Sequence, residues 1–224
     1  MDSYAALANE VWIDMHYLGM PFGMWALFSA SFRTQLTQVF GYDANTAKSI
    51  TAHAKLAYQG LIHDLPSFEK ADRFKMNLVN CAMVAAFILS MPRRPSVVEL
   101  TEYYAKAMMT TPMKWFCKQS GKRKYTPKDI AAMKKAANLK AADRNPYSWN
   151  MDFFEYPDGS GYEARFTKCG IYTLMQKLQL DDLTLALCHL DYTMSEAGGV
   201  TNFVRCYTLA SGGPYCDCRY QRRS

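Results

Sequence analysis

Five of the seven cysteines of this 224-residue chain, Cys169, Cys188, Cys206, Cys216 and Cys218, fall in its last quarter. Thiols gathered this way can supply a nucleophile, hold a metal, or simply pack. Cys169 precedes Gly170 where a strand passes into a helix. A thiol at a helix N-terminus has its thiolate favoured by the helix dipole, and a glycine beside it lets a ligand approach the backbone. Cys188 and Asp191 are three apart on a predicted helix and share a face, which Tyr192 joins. In the final predicted strand, alternation puts Cys216 and Cys218 on one side and Asp217 and Arg219 on the other.

Plainer readings stand beside these. A lone buried cysteine is usually inert packing, which suits Cys81, Cys206 and Cys218. Asp217 and Arg219 can form a surface ion pair. His189 points off the Cys188 face, and His16, His53 and His63 lie far from the cluster in sequence. Zinc held by Cys169, Cys188 and Cys216 with a carboxylate or histidine is open, but the chain lacks a paired short cysteine motif. There is no phosphate-cradling glycine loop and no nucleophile-elbow serine. No cofactor and no metal are therefore predicted.

The elements that must position these residues divide by texture. Residues 11–142 look helical. Helices are expected up to Gly41, over Thr46 to Leu65 with an apolar stripe at Ile50, Ala54, Ala57, Leu61 and Leu65, and over Phe68 to Met91. Ser96 with Glu99 has the capping-box pattern. Trp115 to Tyr125 reads as a basic loop, and Thr126, Pro127 and Asp129 start another helix. Lys134, Lys135 and Lys140 read as its solvated face. After Asn145-Pro146 comes a hairpin over Trp149–Thr167, helices over Ile171–Leu178 and Asp181–Glu196, and strands over Phe203–Leu209 and Tyr215–Tyr220. The expected fold is α+β: a helical N-terminal two-thirds packed on a small antiparallel sheet with helices at the C-terminus. We read 1–224 as a single domain, with 1–145 mainly helical and 146–224 carrying the thiols.

Composition narrows the partners. Lys plus Arg is 26 against 20 for Asp plus Glu, a net charge of +6. That mild excess suits an anionic small molecule and does not point to nucleic acid. Met1 to Glu10 lacks the basic start of an export signal. With an odd cysteine count, a reducing cytoplasm is the expected setting. The apolar stretches Val11–Ala30 and Met76–Met91 carry polar interruptions, so no membrane span is expected. Self-association is left open.

The segments Phe166-Thr167-Lys168-Cys169-Gly170, Leu187-Cys188-His189-Leu190-Asp191, Arg205-Cys206-Tyr207-Thr208-Leu209 and Gly212-Gly213-Pro214-Tyr215-Cys216-Asp217-Cys218-Arg219-Tyr220 together resemble the L-2-amino-thiazoline-4-carboxylic acid hydrolase family. The resemblance is closest over residues 149–220, and Cys218 stands where the family usually has Phe. It implies a hydrolase that opens a small carboxylate-bearing heterocycle at a C–S or C–N bond. Cys169 or Cys216 would be the nucleophile, with Cys188 in the same site. Asp191 and Asp217 would act as base or hold the amidine nitrogens, and Arg205 or Arg219 would pair with the substrate carboxylate. Two other classes remain: a thiol-based metal- or cofactor-binding protein, and a non-enzymatic module that binds an acidic partner through Lys114 to Lys140.

Overall fold

The computed structural model describes residues 21–68, 72, 74–141 and 143–223. The expectations for Met1 to Met20 lie outside them. The fold is α+β, and the chain divides into two compact units, Met1–Met108 and Met109–Ser224. No helix of the described residues is long and apolar enough to cross a membrane.

The first unit is helical: α1 Pro21–Phe40, α2 Ala44–Asp64, α3 Lys75–Ser90 and α4 Val97–Met108. Asp43 caps α2 by accepting from the Asn45 and Thr46 N–H groups at 2.9 and 3.0 Å. The buried stripe of α2 is Ala47, Ile50, Ala54, Tyr58 and Ile62. It is turned by one residue from the expected one because Tyr58 reaches inward, donates to the Pro21 carbonyl at 2.9 Å, and stacks on Trp25. Helix α3 starts at Lys75, later than expected, since Phe68 is buried without being helical. It is apolar on nearly every side, as a helix packed within a bundle must be. The capping box of α4 forms as read: Ser96 N–H donates to Glu99 at 2.9 Å, and Glu99 N–H to the Ser96 hydroxyl at 3.2 Å.

The second unit carries the sheet. It begins with α5 Thr111–Gly121 and α6 Pro127–Ala141. The basic segment at Trp115 is therefore helix, not loop. Thr110 caps it, Pro112 fits its first turn, and no breaker follows until Gly121. Helix α5 meets α9 (Leu190–Gly198) at Gly121, where a Cβ would lie 2.7 Å from the Gly198 carbonyl oxygen. Strands β1 Asn150–Glu155 and β2 Gly161–Lys168 form the expected hairpin. Strand β4 Cys216–Arg222 pairs with β2, and β3 Thr201–Val204 pairs with β4, so the antiparallel order is β1-β2-β4-β3. Between the strands lie α7 Gly170–Lys177, a 3-10 turn Asp181–Leu183, α8 Thr184–Cys188, α9, and a 3-10 turn Leu209–Ser211.

Two sequence expectations fail here for one reason. The strand expected over Phe203–Leu209 stops at Val204, because the Cys206 and Tyr207 N–H groups donate to the Asp217 carboxylate instead of to a ladder. The helix expected over Asp181–Glu196 is broken at His189. Its Cys188 carbonyl accepts from Arg205 at 3.1 Å, and the Tyr192 N–H turns to His189 O at 3.1 Å. Side chains from 205 and 217 thus replace regular backbone pairing at both places.

Lys140 departs from the expected solvated face. It is buried, and its ammonium donates to Asp143 at 2.8 Å and to Ser148 at 2.5 Å. Lys168 adds bonds to the Asp143 and Asn145 carbonyls at 2.9 and 2.8 Å. The loop between α6 and β1 is thereby tied to the end of β2. Burial pushes the Asp143 carboxyl up, but Lys140, Ser148 and the Asn145 N–H outweigh it and hold the group at about 2, below its ordinary 3.8. A carboxyl depressed on folding stabilises the protein above its unfolded value and loses that contribution as pH falls through the folded one. Stability should therefore drop between about pH 4 and pH 2 by about 2 kcal/mol from this group alone. Urea titrations from pH 2 to 6 should show a shallower acid limb in Asp143→Asn, and an unchanged limb would remove Asp143 from the account.

Candidate active site around Arg205

Arg205 leaves the end of β3 and turns inward, with only 6% of its side chain exposed. One Nη donates to the Cys188 carbonyl; the other pairs with Asp191 and meets Cys218 Sγ at 2.9 Å. The guanidinium also lies over the Phe203 ring at 4.9 Å. Burial works against its charge, and Asp191 and Cys218 more than restore it, so the group stays protonated. Its Nε is buried and has no hydrogen-bond partner among the described residues. An unpaired buried donor is uncommon in a folded protein.

Cys218 touches this guanidinium, and Cys188 and Cys216 lie within its electrostatic reach. Cys169 is the N-cap of α7, Cys188 ends α8, and Cys216 opens β4 after the turn at Gly212 to Pro214. Helix α8 packs on both α7 and the 3-10 turn at Leu209. The thiols of Cys169, Cys188 and Cys216 lie within electrostatic range of one another, and Arg205 favours ionisation of Cys188 and Cys216. Cys216 Sγ also accepts from the Leu209 N–H at 3.2 Å. The predicted grouping of Cys169, Cys188, Cys216, Asp191 and Arg205 is thus found in one place. Asp191 remains 45% exposed and lines a cavity of about 200 Å³ together with Lys124, Met194 and Tyr220.

Asp217 and Arg219 occupy the other side of β4. The Asp217 side chain is wholly buried, accepts from the Cys206 and Tyr207 N–H groups, and pairs with Arg219 at 2.9 Å. Arg219 also faces Glu163 at 3.9 Å. This pair holds the 205–207 loop in place. Cys206 is exposed on that loop, whereas Cys218 is buried.

The charge state of the thiols differs from expectation. Burial pushes Cys169 up to about 11, against the opposing pull of the Tyr172 and Ile171 N–H groups and of Trp149. The helix end does act on this sulfur, but removal from water outweighs it. Burial raises Cys188 and Cys216 as well, and Cys218 to about 12. Gly170 also has a different use. The space beside it is filled by protein: a Cβ there would sit 1.9 Å from the Tyr147 carbonyl oxygen and 3.2 Å from the Trp149 ring. Trp149 is the neighbour that the sequence reading missed; its only signal was its place at the head of an aromatic stretch just before β1.

Two outcomes follow. Gly170→Ala must displace the Tyr147 backbone and should destabilise the protein by about 1–3 kcal/mol in urea titration. Iodoacetamide at neutral pH should label the exposed Cys206 first, with Cys169 reacting appreciably only as pH approaches 11. Fast labelling of Cys169 at pH 7 would mean that burial does not control it.

Among the described residues, no three His, Cys, Asp or Glu side chains are grouped to hold a metal ion. A search of curated proteins and a search of solved structures each found no match. The family model described as L-2-amino-thiazoline-4-carboxylic acid hydrolase matches residues 72–220. That match extends well ahead of the thiol segments, through α3 to α6, and covers two thirds of the chain. The chain therefore belongs to the L-2-amino-thiazoline-4-carboxylic acid hydrolase family.

Proposed function

We propose that this chain hydrolyses a small carboxylate-bearing heterocycle of the 2-amino-thiazoline-4-carboxylate kind, at the site around Arg205. One observation carries the reading: Asp191 lines a cavity of about 200 Å³ and pairs with a buried guanidinium that favours ionisation of Cys188, Cys216 and Cys218, with Cys169 next to Cys188 and Cys216 in the same cluster. The cavity suits a single small ring. Lys124 on its wall supplies a positive partner for a carboxylate, and Arg205 stands behind Asp191. Arg219 is less suited to that role, being held by Asp217 on the other side of the strand.

The ring carbon between nitrogen and sulfur is the electrophile. Its protonated amidine brings positive charge beside the thiols and lowers their pKa, which offsets the effect of burial on Cys169. The Cys169 thiolate bonds to that carbon. The ring C–S bond breaks, and the ring sulfur takes a proton to become a thiol. Water then adds to the same carbon while Asp191 accepts its proton, the bond to Cys169 breaks, and a carbamoyl-substituted amino acid leaves. Cys188 and Cys216 complete the nest, and Asp217 positions the Arg205 loop. We place the protein in a reducing cytoplasm, a setting supported by seven unpaired cysteines.

Purified protein mixed with 2-amino-thiazoline-4-carboxylate should release a free thiol. Cys169→Ala and Asp191→Asn should each lower kcat by at least about 100-fold, and quenched wild-type enzyme should carry one substrate mass on the Cys169 peptide. If Cys169→Ala retains turnover while Asp191→Asn does not, water attacks the ring directly. No thiol release from any thiazoline, hydantoin or lactam would reject the reading.

A further inference from the structure

On the far side of α9 from the small cavity lies a larger groove of about 640 Å³, within the size range of small-molecule sites. Its walls are α5, α9 and the edge strand β3. Lys114 and Lys118 stand one turn apart on the α5 wall, both exposed, and neither has an ion-pair or hydrogen-bond partner among the described residues. Like charges at that spacing repel, so α5 carries a cost that an anion between them would relieve. The opposite wall is aromatic. His189 stacks on Tyr192 with centroids 5.3 Å apart, and Phe203 meets Tyr192 edge-on at 4.8 Å. The one carboxylate lining the groove, Glu196, is already paired with Arg223. The groove therefore has two unbalanced positive charges facing an aromatic wall.

We infer that this groove is a second ligand site, for a small molecule that carries an acidic group on a flat aromatic body. The acidic group sits between Lys114 and Lys118, and the body lies against His189, Tyr192 and Phe203. A five-membered ring would leave most of the groove empty, so its ligand is not the heterocycle of the smaller cavity. None of the proposed catalytic residues lines it.

Isothermal titration with 2-naphthoate, 2-naphthyl phosphate and the neutral 2-naphthylmethanol tests the site. At least one of the anions should bind about tenfold more tightly than the alcohol at low salt, and the advantage should shrink as salt rises. The stronger anion identifies the acidic group as carboxylate or phosphate. Lys114→Gln with Lys118→Gln, both at exposed positions, should abolish the advantage with the melting temperature unchanged or slightly raised. Cys169→Ala should leave all three affinities as they are, which separates this site from the proposed catalytic one. Equal binding of anion and alcohol, or an advantage that survives loss of both lysines, would overturn the inference, as would no binding of either anion at millimolar concentration.

Discussion

A guanidinium removed from water must have its charge met at close range, or it destabilises the fold that buries it. Arg205 meets that condition with the Asp191 carboxylate, the Cys188 carbonyl, the Cys218 sulfur and the Phe203 ring. Each partner comes from a different part of the second unit. Asp191 and Cys188 lie on either side of the helix break, Cys218 is in the centre of β4, and Phe203 is on β3. The charge therefore sets where α8, α9 and the strand ends lie relative to one another. Asp217 does the complementary work from the other face of β4, where its buried carboxylate gathers the N–H groups left open when β3 stops. Two buried ionic groups, one on each side of a strand, thus hold the segment from Arg205 to Tyr207 that regular secondary structure leaves unsupported.

The same interaction explains which features were legible in the sequence. Periodicity and local capping found α2, α4, α6 and the β1–β2 hairpin, because those depend on residues close along the chain, such as Ser96 with Glu99 or Thr126 with Asp129. Alternation in β4 correctly separated Cys216 and Cys218 from Asp217 and Arg219. The end of β3 and the break at His189 were not legible, because each is decided by a side chain more than ten residues away. Helix α5 was misread for the opposite reason: its lysines and exposed Trp115 and Phe116 show no buried stripe, yet Thr110 and Pro112 were sufficient start signals.

The thiol chemistry shows where a one-dimensional argument about pKa stops. The position of Cys169 at a helix N-terminus was readable, and the helix end does favour its thiolate. What the sequence could not show is the surrounding protein, with the Tyr147 carbonyl and Trp149 packed against the neighbouring Gly170, in which partial burial of Cys169 raises its pKa. That packing depends in turn on the Lys140–Asp143–Ser148 cluster, which sets the path of the loop before β1. Desolvation is a property of the assembled shell, and it acts here on every thiol near the guanidinium.

A nest of protonated thiols around a permanent cation is a poor resting nucleophile, and that is consistent with a hydrolase. A thiolate present at all times would react with any electrophile or oxidant that reached it. If burial keeps the proton on Cys169 until a cationic amidine arrives, reactivity is tied to the presence of the correct substrate. In the proposed reaction Asp191 would complete that coupling. One of its oxygens is held by Arg205 and the side chain remains open to the cavity, which is the placement that the proposed proton transfer from water needs. The break at His189 makes this possible. Had α8 and α9 run on as one helix, the Cys188 carbonyl would have been taken by the Tyr192 N–H, and Arg205 would have lost the contact that brings it, and with it Asp191, up to the sulfurs.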